Sequence, residues 1–121
     1  MTKVKTSNLT GINLDWAVAK AEGMEIDGPT VITGKFYRDD EGLEWVVECE
    51  PTTNWTQVGP IIERERISVV SDSHEIKEGW IAESYQGNIQ QFGPTPLIAA
   101  MRCYVMSRFV DEIEIPQELF E

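Results

Sequence analysis

Two stretches of this chain repeat their apolar residues at helical spacing, and the segment between them alternates at the spacing of strands. The first helical stretch runs from about Ser7 to Glu22. Thr6 or Ser7 can cap it, accepting from the free N–H groups of its first turn, and Gly23 can end it with a positive φ. On a helical wheel it carries two apolar stripes. Leu9, Ile12, Trp16 and Ala19 form one; Leu14, Ala17, Val18 and Ala21 form the other. A helix on the outside of a monomer needs one stripe, so the second implies a further layer, a partner subunit or a ligand.

The second helical stretch runs from about Pro96 to Val110. Thr95 suits the N-cap, and Pro96 suits the first helical position, where no N–H is required. Its apolar residues wrap most of the circumference and are broken only by Arg102, Ser107 and Arg108. Such a helix is covered on more than one side.

Between them, Leu43, Trp45, Val47 and Cys49 alternate with Glu44, Val46, Glu48 and Glu50, a strand pattern that Pro51 ends. Thr30 to Tyr37 precedes it, joined through a turn at Arg38-Asp-Asp-Glu-Gly42. Arg66 to Ser71, Gly79 to Tyr85 and, after the turn Gln86-Gly87-Asn88, Ile89 to Phe92 read as further strands, with a short last one at Ile113 to Ile115. Strands joined by short turns run antiparallel. The order predicts an α+β fold, a mainly antiparallel sheet with two helices, sandwich-like (α/β/α) if the helices take opposite faces. A length of 121 residues fits a single domain, 1–121.

Charge narrows the partners. There are 21 acids against 10 Lys and Arg, a net charge of −11, which repels a phosphate backbone. Direct DNA or RNA binding is not expected. The acids are dispersed, and the run Asp39-Asp40-Glu41 reads as a turn, so solubility explains them better than mimicry of nucleic acid. Apolar runs are too short for a membrane span, and the opening Met1-Thr-Lys-Val-Lys-Thr-Ser lacks the apolar core of a secretory leader. A cytoplasmic protein is expected. Cys49 and Cys103 form no Cys-x-x-Cys pair and read as reduced thiols. With His74 the one histidine, no metal and no cofactor is expected.

The densest chemistry lies in Trp55-Thr-Gln-Val-Gly-Pro-Ile-Ile-Glu-Arg-Glu-Arg66. Gly59-Pro60 reads as a fixed bend. If the rest is extended, Glu63 and Glu65 share one face and Arg64 and Arg66 the other. Trp55, Gly59, Pro60, Glu63, Arg64 and Arg66 thus make a candidate ligand site: an aromatic platform, a rigid turn, and arginines to grip a carboxylate or phosphate. Thr95 joins it because the entry Gly93-Pro-Thr-Pro96 leaves N–H groups free for an anion. The plainer alternative is a buried tryptophan anchoring a loop, with internal Glu–Arg pairs. Glu48 with Glu50, or Glu63 with Glu65, could divide acid and base roles. No nucleophile, oxyanion donor or metal cluster accompanies them, so no catalytic residue is assigned and an enzyme is not expected.

Several stretches together resemble the NinX family of bacteriophage proteins. They are Lys5-Thr-Ser-Asn-Leu-Thr-Gly11, Leu14-Asp-Trp-Ala-Val-Ala-Lys-Ala-Glu-Gly23, Asn54-Trp55, Gly59-Pro-Ile-Ile-Glu-Arg-Glu65, Gly79-Trp80 and Thr95-Pro-Leu-Ile-Ala-Ala-Met-Arg-Cys-Tyr-Val105. The similarity spans nearly the whole chain and is weakest from about Thr30 to Glu50. Gly79 to Val105 also resembles the phage "ABA sandwich" domain, which implies a layered fold. The resemblance implies a phage or prophage accessory protein in the bacterial cytoplasm, and it carries no activity with it. Two classes of function stay open. One is a non-catalytic binding module that counters host defence by capturing a host protein or a small nucleotide ligand. The other is an oligomeric assembly module for phage gene expression or replication. The spare apolar stripe of the first helix and the arginines near Gly59-Pro60 motivate the first, and a homo-oligomer is expected.

Overall fold

A helix from Pro96 to Phe109 is the member against which the other two helices and a three-stranded sheet pack. A computed structural model describes residues 2–24, 33–38, 44–72 and 79–120. His74 and the turn at Asp39–Glu41 lie outside the described residues. The chain runs β1 (Thr2–Lys5), α1 (Gly11–Ala21), β2 (Thr33–Arg38), β3 (Glu44–Glu48), α2 (Trp55–Glu65), β4 (Ser68–Asp72), β5 (Gly79–Glu83), β6 (Gln90–Gly93), α3 (Pro96–Phe109) and β7 (Glu112–Ile115). Short 3-10 turns occupy Thr6–Asn8 and Gln117–Phe120.

The α+β class and the antiparallel pairing are as expected. All three described sheets are antiparallel: β1 with β7, β2 with β3, and β4-β5-β6 in that order. Helix α3 starts where the sequence places it, with the Thr95 hydroxyl accepting from the Ile98 N–H at 3.2 Å. It also shows why it is apolar nearly all round. Ala99 lies against Gly93 of β6, and Met106 accepts from Gln91, so one side meets the three-stranded sheet. On another side Tyr104 and Arg108 meet side chains from α1 and α2. Helix α3 therefore forms the middle layer, between the β4-β5-β6 sheet and the pair α1 and α2.

Helix α1 begins later than the sequence suggests. Thr6 does not cap it; its hydroxyl donates to the Val110 carbonyl at 3.0 Å and its N–H to that of Asp111 at 2.8 Å. The chain then makes one 3-10 turn, and Thr10 stands at the N-cap. Leu14 through Ala19 are all buried, including residues of both apolar stripes. Most of both stripes is thus covered within one subunit, although Ile12 stays 42% exposed. Asp15, buried among them, accepts from the Thr52 N–H at 2.9 Å and the Thr52 hydroxyl at 3.2 Å, which ties the loop before α2 to α1.

Helix α2 replaces the bend expected at Gly59-Pro60. Asn54 caps it by accepting from the Thr56 N–H at 3.0 Å. Pro60 costs the bond its N–H would have made to the Thr56 carbonyl. Burial of Gln57, Val58 and Ile61 on one face offsets that loss. Strand β1 is also absent from the sequence expectation. It pairs Lys3 with Glu114 and Lys5 with Glu112, placing opposite charges across the ladder.

Candidate functional site

The last turns of all three helices converge on one cluster of charge. Arg64, near the end of α2, donates from Nη1 and Nη2 to Glu22 of α1 at 3.2 and 2.8 Å, and from Nε to Glu65 at 2.8 Å. Its Nη2 also donates to the Tyr104 hydroxyl at 3.2 Å. That hydroxyl donates to Glu22 Oε2 at 2.7 Å. Arg108, in the last turn of α3, donates to Glu65 at 3.2 Å. Arg64 and Arg108 both lie over the Tyr104 ring, 5.6 and 5.2 Å from its centre. Cations at helix C-termini also face the negative end of each helix dipole.

These contacts settle what the cluster can do. The hydrogen bond from Arg64 to Glu22 raises the guanidinium pKa above its ordinary value, with Glu65 adding to it. Burial pushes the Tyr104 phenol up to about 12, helped by its bond to Glu22. A permanently charged arginine with its donors on two carboxylates, beside a neutral phenol, is a brace between helices. The carboxylate of Glu65 is held by two arginines, Arg64 and Arg108.

The other candidate residues are dispersed. Trp55 opens α2 with 56% of its surface exposed. It stands nine residues before Arg64, on the opposite face of the helix and about 13 Å along its axis. Gly59 has ordinary helical backbone, and a Cβ built on it meets nothing within 4 Å. Pro60 and Glu63 face solvent. Arg66 leaves the helix as a left-handed cap at φ 53° and stacks on Tyr85, 5.1 Å from the ring centre. Thr95 is occupied in capping α3. The structure brings Arg64 together with Glu22 and Tyr104, and Arg66 with Tyr85, but does not gather Trp55, Arg64 and Arg66 into one place.

The feature that the sequence reading missed is the open face of the β4-β5-β6 sheet. Val69, Trp80 and Gln91 point toward α3. Val70, Ile81 and Phe92 point away, and the register places them side by side: Val70 opposite Ile81, Ile81 opposite Phe92. Val70 is 57% exposed and Phe92 51%. Below this row lie Ser68, Glu83 and Gln90, paired in the same way. The stacked Arg66 and Tyr85 continue past the end of the ladder, Tyr85 with 67% of its surface exposed. The outward side of a half-exposed antiparallel sheet is ordinarily polar. Here its central row is apolar across all three strands.

Fold and surface together define a small α+β module, braced at its helix ends, with Val70 and Phe92 exposed on one sheet face. No helix among the described residues is long and apolar enough to cross a membrane. Among the described residues no group of three or more His, Cys, Asp or Glu could hold a metal ion. The chain matches the family model described as Bacteriophage P22, NinX, over residues 5–108, and it belongs to that family. No curated protein matches it.

Proposed function

We propose that this chain is a non-catalytic phage accessory module that acts in the bacterial host cytoplasm by binding a protein through the open face of β4-β5-β6. One observation carries the reading: the apolar row of Val70, Ile81 and Phe92, half-buried at Ile81 and more than half exposed at its two ends. Burying such a row is favourable at roughly 25 cal/mol per Å² of apolar surface, and natural sheets avoid leaving one bare without use. Tyr85 and Arg66 at its margin are residue types enriched where proteins bind proteins. The arginine–carboxylate brace supports the non-catalytic part, since its groups are committed to one another. Capture of a host defence protein fits such a face better than capture of a nucleotide, which needs a concave site with converging polar groups.

The test compares the wild-type chain with a Val70→Asp/Phe92→Asp variant as bait in lysate of phage-infected cells. Circular dichroism first establishes that the variant folds. Identified proteins held by the wild type and lost by the variant support the reading. The same set on both baits overturns it. A thermal shift with nucleotides on both baits, with no protein lost, would transfer the function to a small-ligand site elsewhere.

A further inference from the structure

We infer that the partner engages this face by adding an extended segment of its own as a further strand on the outer edge of β4. This rests on reading the face as a protein-binding surface and names the part of the partner that meets it. The first ground is the direction of the backbone groups. Strand β4 ends the order β4-β5-β6, so one of its edges pairs with β5 and the other with no described strand. The Ser84 N–H donates to the Ile89 carbonyl at 2.9 Å, which makes these opposed residues a hydrogen-bonded pair. Such pairs alternate along an antiparallel ladder. In β5, Trp80 and Ala82 thus turn their N–H and C=O groups to β6, and Ile81 and Glu83 turn theirs to β4. The residues opposite those two, Val70 and Ser68, point back at β5. Val69 and Ser71 are left pointing their N–H and C=O groups out of the edge. Ile67 has the same orientation, and the Ile62 carbonyl of α2 takes its N–H at 3.1 Å. Among the described residues no hydrogen-bond partner meets the backbone of Val69 or Ser71 at this edge.

The second ground is that the edge is unprotected. Sheets guard such edges with proline, lysine or a bulge. Strand β4 reads Ser-Val-Val-Ser-Asp, with neither residue type, and pairs with β5 without a break in register. The third ground is the apolar row itself. It runs across the strands from Phe92 through Ile81 to Val70 and stops at this edge. An added strand sets one residue beside Val70, in a pair without mutual hydrogen bonds, where side chains stand closest. An apolar residue there lengthens the row by one place. The N–H and C=O groups of Val69 and Ser71 hold the partner's main chain on either side of it. Main-chain bonds of this kind supply the affinity that a small apolar face lacks. The segment that fits is extended, with alternating side chains and an apolar residue at its centre.

The probe is a short peptide alternating valine with threonine between two terminal lysines, added to the full chain and read by amide hydrogen exchange in NMR. Exchange at Val69 and Ser71 is expected to slow by about tenfold or more as the peptide saturates, while Val70, already bonded to β5, is unchanged. The same peptide N-methylated at its threonines presents no N–H to the edge and is expected to slow neither. Ser71→Pro removes an outward N–H and no bond within the sheet, a position where an edge strand tolerates proline. It is expected to weaken peptide binding by about tenfold or more, with its fold checked by circular dichroism. No slowing at about 1 mM peptide overturns the inference. Slowing of the same two amides without peptide, growing with protein concentration, gives the edge to a second copy and overturns it too. The lysate experiment separates this from the reading it rests on. A Ser71→Pro bait that keeps the proteins lost by the Val70→Asp/Phe92→Asp bait leaves the binding face standing and removes the added strand. If neither bait loses a protein, both fall.

Discussion

Arg64 holds Glu22 with both terminal nitrogens, at 3.2 and 2.8 Å, although 42 residues separate them in the chain. The pair joins the end of α2 to the residue that closes α1, and Tyr104 of α3 adds the third bond to the same carboxylate. The side chain of Glu22 is mostly buried, and that of Arg64 is half-exposed. An ordinary exposed ion pair contributes about 0–1 kcal/mol, and this one gains from its paired geometry and partial burial.

Removing the arginine leaves a buried carboxylate without its main partner. Arg64→Ala is expected to destabilise the fold by about 1–2 kcal/mol in urea unfolding. A double-mutant cycle with Glu22→Gln is expected to show coupling of about 1 kcal/mol. Additive losses would mean that the two residues act independently and that the helix ends are held by apolar packing alone.

How much of this was readable beforehand depends on how local the signal is. Helix α3 was legible because Thr95-Pro96 and a dense apolar run all lie within it. The β4, β5 and β6 strands were legible from their short apolar stretches and the Gln86-Gly87-Asn88 turn between the last two. Helix α2 was not, because Gly59-Pro60 and the alternating charges after it mimic a bend and a strand. Burial of Val58 and Ile61 overrides both signals, and that is a tertiary effect. The partner of Arg64 had no local trace either. Val70 follows Val69 and Ile81 lies between Trp80 and Ala82, so these strands are apolar on both sides, and which side of the sheet faces water depends on where α3 settles.

Close approach makes Gly93 the least replaceable glycine described. A Cβ there would lie 2.6 Å from the backbone nitrogen of Ala99 and 2.9 Å from its Cα. Those are backbone atoms of the first turns of α3 and cannot rotate away. Gly93→Ala is expected to cost about 2–3 kcal/mol as α3 is pushed off β6. Gly59→Ala is the matched control, since that Cβ meets open space in helical backbone. It is expected to be neutral or to stabilise by up to about 1 kcal/mol. Equal effects in thermal melts would remove the packing argument.

Two thiols and one phenol give the fold an alkaline limit. Burial pushes Cys49 up to about 12, with the charges of Asp15, Glu22 and Glu50 adding to it. Burial, then Glu83, pushes Cys103 up to about 11. Tyr104 also rises to about 12. In each case the folded chain holds the proton more tightly than the unfolded chain. Their contribution is therefore complete below about pH 9 and is lost as pH climbs from 9 toward 12. The urea midpoint is expected to fall steadily over that range, and Cys49→Ala is expected to lessen the slope. A thiol reagent at pH 8 should label neither cysteine until urea unfolds the chain, because thiolate rather than thiol reacts. Rapid labelling of the native protein would contradict the burial of both.

Val110 closes α3 with φ 65° and ψ −125°, a conformation that a β-branched residue adopts only under strain. Its side chain is exposed, so no packing rewards the valine. The backbone holds it there from both sides. Its N–H donates to the Met106 carbonyl at 2.8 Å, and its carbonyl accepts from the buried Thr6 hydroxyl at 3.0 Å. These bonds turn the chain out of α3 and into β7, which pairs with β1. Strain at such a residue costs about 1–3 kcal/mol, against about 0.5–1 kcal/mol for the extra freedom of a glycine in the unfolded chain. Val110→Gly is thus expected to stabilise the protein by about 1 kcal/mol and to raise Tm by about 4 °C. Thr6→Val removes the hydroxyl that holds the turn and is expected to lower Tm instead. A Val110→Gly chain that melts lower than the wild type would show that the turn is not strained.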